Sequence, residues 1–545
     1  MMRHLSPSLW LALALFLVLA ILPIGLMGLE SLGIQSFSTQ DSPAEAADAM
    51  QGPTIDAYRN ILGTKTERTQ LWNTLWLGFW ATLFSVLLGS GTAWLCYRTD
   101  LPLGRLLGVA GILPILFPPI LIAMAFADLS DSRGFVTIGL VLAASNLPFT
   151  LALTARGLRS VDGRLYEAAL MSRGRIRAEL TLLRQVLPDI LAGALLVLVF
   201  VMSEHGVPEF LSVKGKPWRV YSEAIFLNWS APGLPGSLRS AQATAFSLPL
   251  ILITAVFAWL CLRARRKGSL VTHFSDFRPL PVRKLGRWKI PALLFCLTPV
   301  AIGLLIPVWR MLMWTAGATA NKGLSLATSK TSFRTAWAEW NDELLYTNGV
   351  AIAVAIVLVI LGGVLAWHAA RRRKPWIEGL TMLTLAVPAL LLGIGFIRLW
   401  NRPGSPLGAL YETPTMVVLA YATRFLPLAV LGLANAFRRL PPEFEEAALL
   451  TGRSTWSRLT RILIPLTLPA MISVGILGFL LSLRELDLAV LLFEGNRMAV
   501  RPISNSVHFG YEDQAAAFAL MLLFCAALPL ILRLLLTGKT GEATS

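Results

Sequence analysis

Few residues of this chain are equipped for chemistry, and the conspicuous ones sit in oily surroundings. Glu204 and Glu485 each lie sixteen residues after a proline, Pro188 and Pro469, at the far end of an apolar run. His205 neighbours the first, and Arg484 and Asp487 neighbour the second. Ionisable groups inside membrane-length apolar runs are costly and mark either a solute pathway or an internal partner. Two facing carboxylates would suit a hard, oxygen-seeking cation, and Arg484 or Arg424 would serve an accompanying anion. The structural alternative is that Glu485 pairs with an arginine of another helix, for instance Arg424, and holds a bundle together. Both readings stand at this level.

Enzyme chemistry has no comparable foothold. No H-E-x-x-H, G-x-S-x-G or CxxC stretch occurs. "TGKT" at Thr537–Thr540 resembles the end of a P-loop, but position 533 is arginine where its first glycine belongs. A P-loop also needs a strand before it and a helix after it, so this segment reads as a frayed tail. Cys96, Cys261, Cys296 and Cys525 are far apart in apolar stretches, which signals neither a disulfide framework nor a zinc site. No cofactor and no metal are expected in this chain.

The elements that hold the acids are long and apolar. Of 545 residues, 55% are hydrophobic and only 14% charged, against roughly 25% charged in a soluble domain. A hydrocarbon core about 30 Å thick needs roughly 20 apolar residues of helix. Twelve stretches meet that length, at about 9–29, 71–97, 103–127, 135–155, 189–204, 240–262, 290–314, 346–369, 376–399, 413–435, 470–493 and 514–537. The fold class expected is all-α and polytopic. The first stretch is too long for a signal-peptide core and no A-x-A site directly follows it, so it reads as a retained helix.

Charge orients the spans. With both termini in the cytoplasm, the inner loops hold 27 Lys and Arg and the outer loops 13, as the positive-inside rule requires. The net charge of +17 is then a topology signal, and no nucleic-acid partner is needed. Residues 30–69 read as an outer loop, either loose or a docking surface.

The chain repeats itself. Pro148, Arg159, Glu167, Ala168 and Ala169 match Pro427, Arg438, Glu446, Ala447 and Ala448 at one offset, 279. Pro118 and Phe126 match Pro388 and Phe396 at 270, and Glu204 matches Glu485 at 281. Residues 1–265 and 290–545 form two six-span halves, joined by a basic connector over 266–289. Six spans per half keep both copies in the same orientation, which makes them parallel repeats with a solute site expected near their interface.

Each half carries one polar insert, 156–188 and 438–469. In the second, Pro441-Pro442 suits a helix start and "EFEE" places acids where the dipole favours them. Thr451-Gly452 ends that helix, and Ser454 caps the next one. A short helix, a bend and a second helix re-entering the bilayer near Pro465 follow. Two such exposed helices would give a twofold partner two handles.

"EAALLTGRSTWSRLTRILIP" resembles the EAA loop of binding-protein-dependent ABC importer permeases. Glu446, Ala447, Ala448, Gly452, Ile462 and Pro465 fill its pattern, with Ile464 where leucine is usual. The first copy departs from it: Glu167, Ala168 and Ala169 are present, but Gly174 comes one place late and Arg184 stands where Pro465 would. "LSLRELDLAVLLFEGNR" and "MSEHGVPEFLSVKGK" resemble the fused twelve-span permeases of the ferric-iron group. Thiamine, phosphonate, polyamine and sulfate permeases share much of that architecture.

The resemblance implies a type I ABC importer permease fold, and loops that couple to the dimer of a separate ATPase subunit. It implies a solute-binding protein on the outer face. The apolar composition itself places a lipid bilayer around the chain, and the cost of charge inside apolar runs makes Glu204, Glu485, Arg484 and Asp487 the pathway candidates. The competing class is a twelve-span secondary transporter driven by an ion gradient. That class would show a G-x-x-x-D-R/K loop between spans 2 and 3, where this chain has "RTDLPLGR".

Overall fold

In a bilayer every backbone polar group must be satisfied within the chain, so apolar runs of this length become helices. The structure, a computed structural model, describes residues 7–32, 55–59, 61, 63–129, 134–212, 218–230, 236–268, 278–318, 324–372, 374–401, 405–441, 443–450, 454–493, 495–509 and 512–541. Among these, ten helices are long and apolar enough to cross a membrane, or twelve if each of two bent pairs is one span. Gly452, most of the outer loop 30–69 and part of the connector lie outside the described residues.

Local chemistry sets several boundaries that hydropathy misses. The helix Lys65–Arg98 starts six residues before its apolar core, because Thr64 and Glu67 form a reciprocal capping box. Residues 326–345, read as loop, belong to the helix Leu326–Arg371, which kinks at Trp340. The stretch 189–204 is the end of Gly163–Ser203, two helices that meet at a bend at Gly174 and hold most of the first insert. The "TGKT" tail continues the helix Glu512–Gly541 and is not frayed over its first residues.

Two of the expected spans, both containing Pro and Gly, are broken. Gly104–Leu116 and Pro119–Leu129 meet at 98°, and Trp376–Ala386 and Ala389–Trp400 at 93°. The cause is the same in both. Phe117 (φ −91°, ψ 132°) and Val387 (φ −82°, ψ 128°) are extended, as a residue before proline prefers. Pro148 and Pro427, by contrast, sit inside unbroken helices. The span expected over 470–493 also breaks: its helix ends at Arg484, and a short helix, Asp487–Leu491, follows.

The elements recur in order. A π-helical turn interrupts the first helix of each half, at Leu17–Ile21 and Ala301–Leu305. A bent pair, a helix ending at glutamate and a short helix come later in both. Packing crosses the sequence division, however. The first helix, Pro7–Ser31, lies against Ala389–Trp400 and Leu326–Arg371 of the second half, and Gly286–Thr315 lies against Lys65–Arg98 and Pro119–Leu129 of the first.

Helices 65–98 and 135–160 approach closely along one glycine. A Cβ on Gly89 would collide with Thr150 Oγ1 and stand 3.0 Å from the Leu147 carbonyl oxygen. Thr150 cannot swing away, because its buried hydroxyl donates to the Ser85 carbonyl at 2.6 Å. Gly89→Ala should therefore destabilise by about 1–3 kcal/mol, read as a lower melting temperature in detergent. An unchanged melting temperature would contradict this contact.

The connector is tied to the first half. Thr99 and Arg283 form a parallel bridge, and Gly163 N–H donates to the Arg278 carbonyl at 2.8 Å. The Leu285 N–H donates to Asp100 at 2.7 Å and Lys289 pairs with it at 3.0 Å; together they hold its carboxyl below the usual range.

Candidate functional site

Both long helices stop at the equivalent glutamates. Ser203 and Arg484 are the last helical residues, and Glu204 (φ −71°, ψ 128°) and Glu485 (φ −79°, ψ 110°) are extended. Short helices Gly206–Phe210 and Asp487–Leu491 follow. Gly206 and Pro208 explain the first break, proline being suited to a first helical turn. No glycine or proline marks the second. There the freed carbonyl of Glu485 accepts from Tyr421 Oη at 3.1 Å, and that of Glu204 accepts from Ser222 Oγ at 2.9 Å. Side chains of other helices thus replace the lost helical bonds.

The breaks face one cavity. Glu204, Arg424, Arg484, Glu485 and Asp487 line it, with Asn146, Phe200 and Phe425. The four pathway candidates named from sequence converge here. Arg424 Nε meets Glu485 Oε2 at 2.9 Å, so the structural alternative for Glu485 is what the geometry shows. His205 Nδ1 meets Asp487 Oδ1 at 2.8 Å, and the His205 ring stacks on Phe226. Arg484 donates to the Ser145 carbonyl and to Asn146 Oδ1, each at 3.2 Å. The Arg424 guanidinium lies 5.9 Å from the Phe200 ring centroid.

Three of these contacts, His205 to Asp487, Arg484 to Ser145 and Asn146, and Arg424 to Phe200, join residues from opposite halves. A Cβ on Gly206 would stand 2.8 Å from a Leu486 methyl, so the two broken ends abut. Glu204 forms no ion pair among the described residues; its Oε1 accepts only a long bond, 3.4 Å, from the Val207 N–H. Nor do the described residues gather three or more His, Cys, Asp or Glu as a metal ion would need. Glu485 and Asp487 are each partnered separately while Glu204 is not, and among the described residues these carboxylates form no cage. Asn146 and Phe200 were missed from sequence. An asparagine inside "AASNLPF" was the available signal for the first, and Phe200 had none.

The inserts lie at the other ends of the same helices. Glu167 and Ala168 are exposed and Ala169 is half-buried; Glu446 and Ala447 are exposed and Ala448 is buried. Large apolar side chains beside them face outward: Met171 and Ile176 are 83% and 80% exposed, and Leu450 and Trp456 are 91% and 71%. In the first insert the bend is made by Gly174, whose φ of +76° suits glycine. In the second, the helix Glu443–Leu450 is followed by one starting at Thr455, whose Ser457 N–H donates to Ser454 Oγ at 3.2 Å. Ile462 is half-buried and Pro465 is exposed. From Gly174 to Ser203 and from Thr455 to Arg484 the helices rise about 45 Å, linking each insert to the cavity.

Comparison with known proteins agrees with this layout. Residues 358–538 match the family described as "Binding-protein-dependent transport system inner membrane component". The chain is 24% identical over 546 residues to the "Probable ABC transporter permease protein y4fN" of Sinorhizobium fredii, covering 90% of this chain and 92% of that one. It is 25% identical over 484 residues to the Fe(3+)-transport system permease protein FbpB 2 of Haemophilus influenzae, covering 84% and 88%. It is 30% identical over 200 residues to the molybdenum transport system permease protein ModB of Mycobacterium tuberculosis, covering 34% of this chain and 75% of that one. With two equivalent broken helices around a charged cavity and an E-A-A segment with an exposed glutamate beyond each, the chain belongs to the inner-membrane permease components of binding-protein-dependent ABC transport systems, and is a multi-pass protein of the type I permease fold.

Proposed function

We propose that this chain carries ferric iron across the inner membrane for an ATP-driven importer, with both inserts on the cytoplasmic face. The observation that carries this reading is the charged cavity at the meeting of two helices that begin at the inserts. The sidedness rests on the excess of Lys and Arg in the loops on the insert side. A dimeric ATPase subunit would seat on Glu167 and Glu446 with the exposed Met171, Ile176, Leu450 and Trp456 around them. A solute-binding protein would deliver from the opposite face. The two six-span halves, 1–265 and 290–545, would each contribute one wall of the path.

In the arrangement seen, the cavity is closed by contacts between halves: His205 to Asp487, and Arg484 to Asn146. Movement of the inserts, carried along about 45 Å of helix, would separate these pairs and open the path. Among the described residues Glu204 is the cavity carboxylate without an ion-pair partner, and it is the group we assign to contact the passing cation. Iron is favoured because relatives named for ferric transport match this chain over 84% and 78% of its length. The relatives named for molybdenum or trehalose match about one third of it. The buried Arg484 and Arg424 favour an oxyanion as the second reading, alone or travelling with the metal.

Uptake of radiolabelled ferric iron in a deletion strain tests the assignment, with thiamine and molybdate as parallel arms. Glu204→Gln should lower iron uptake at least about tenfold, equivalent to roughly 1.4 kcal/mol, with chain levels unchanged. Wild-type chain that restores molybdate uptake and not iron uptake would replace the first reading with the second. Undiminished iron uptake by Glu204→Gln would remove that residue from the path.

A further inference from the structure

The first helix of each half packs on its own half, against Gly236–Gly268 and Glu512–Gly541 respectively, and also crosses to the opposite half; this exchange is held in each case by an ion pair. Glu30, near the end of Pro7–Ser31, takes Arg398 on Ala389–Trp400, with Nη2 to Oε1 at 3.0 Å and Nε to Oε1 at 3.2 Å. Ser240 also donates to Glu30. Both side chains of the pair are 6% exposed. In the other exchange, Arg310 on Ile306–Thr315 pairs with Asp128 on Pro119–Leu129, and the Trp314 indole N–H donates to the same carboxylate at 3.0 Å.

These two latches occupy equivalent places with opposite polarity. Asp128 and Arg398 are related by the offset of 270 that also relates Pro118 to Pro388 and Phe126 to Phe396. On the first helices, Pro23 and Pro307 follow the two π-helical turns at the same position. That alignment sets Glu30 opposite Trp314, with Arg310 one turn earlier on the same face. The first half therefore presents acid at both latch positions, Glu30 and Asp128, and the second half presents arginine at both, Arg310 and Arg398.

We infer that this charge division makes the exchange surface of each half fit the other half and reject a copy of itself. Pairing of two first halves would set Glu30 against Asp128, and pairing of two second halves would set Arg310 against Arg398. Like charges in partly buried sites are repelled far more strongly than at an open surface, and discrimination between partners of similar shape needs such a repulsive element. The apolar helix faces cannot supply it, because the repeated halves present similar oily surfaces to one another and to lipid. The device matters during assembly, when newly inserted chains lie side by side and either half could seat on the wrong copy. The inference does not depend on which solute crosses.

The test uses the full chain. Asp128→Arg with Arg398→Glu inverts the preference: within one chain, like charges then meet at both latches, whereas between two copies opposite charges meet. Two differently tagged copies are co-expressed, purified through one tag and probed for the other, and particle mass is measured by light scattering. Wild-type copies should purify as single chains. The double variant should raise co-purification about tenfold and shift mass toward two chains. Adding Glu30→Arg and Arg310→Glu restores opposite charges within one chain, and should return the protein to single chains at wild-type yield. A double variant that stays folded and single overturns the inference. So does a fourfold variant no better than the double in yield or mass, which decides the matter even if the double alone fails to accumulate.

Discussion

Glu446→Lys should abolish ATP-driven uptake, lowering it by two orders of magnitude or more, while the chain inserts and accumulates as wild type. Glu446 is exposed and forms no ion pair among the described residues, so reversing its charge disturbs no packing within this chain. Its place on a short helix between exposed Phe444 and Leu450 is what supports the proposed contact with the ATPase subunit. Loss of a buried charged contact at an interface costs about 2–5 kcal/mol, enough for that effect. Glu167→Lys should do less harm. Its insert carries its glycine, Gly174, one place late in the E-A-A pattern and Arg184 where the second has Pro465, which would give the proposed first docking surface a different shape. Uptake by proteoliposomes containing the ATPase subunit, measured with and without ATP, separates the two variants. Equal losses, or none from either, would remove the proposed asymmetry.

Arg424→Ala should be the most destabilising single change near the cavity. It leaves Glu485, 7% exposed, without the guanidinium that stands 2.9 Å away. Removing one partner of a buried ion pair costs about 3–5 kcal/mol, because the other charge stays buried and uncompensated. The melting temperature in detergent should fall sharply, and Glu485→Gln in the same chain should restore most of it by removing the stranded charge. If Arg424→Ala melts as wild type does, or if the second substitution deepens the loss, the pair does not hold the bundle in the way its geometry indicates. Comparing uptake by the double variant with its stability then separates a role in holding the fold from a role along the path.

Much of the site was visible without coordinates, for a physical reason. Glu204 and Glu485 stand out because charge inside an apolar run is expensive, and their common spacing from Pro188 and Pro469 survives in any alignment of the halves. The inserts stand out because a polar amphipathic stretch interrupts membrane-length runs twice at a constant offset. The pairing of Glu485 was undecided in the sequence because a carboxylate beside Arg484, Asp487 and a distant Arg424 has several possible partners. Backbone geometry removes the choice: the helix ends at Arg484, so Glu485 turns toward Arg424 while Arg484 turns toward Asn146.

What the sequence by itself determined was the all-helical class, the internal repeat and the places where charge interrupts the apolar runs. These follow from composition and period, which are local. Only the tertiary structure decided that Pro118 and Pro388 break their spans while Pro148 and Pro427 do not, since a kinked turn survives where neighbouring groups take up its freed backbone bonds. It also decided that each half's first helix crosses to the other half. Hydropathy scores a helix against lipid and assigns it no neighbour; the neighbour is chosen by close packing and by a few charges, such as Glu30 and Arg398, that lie 368 residues apart in the chain.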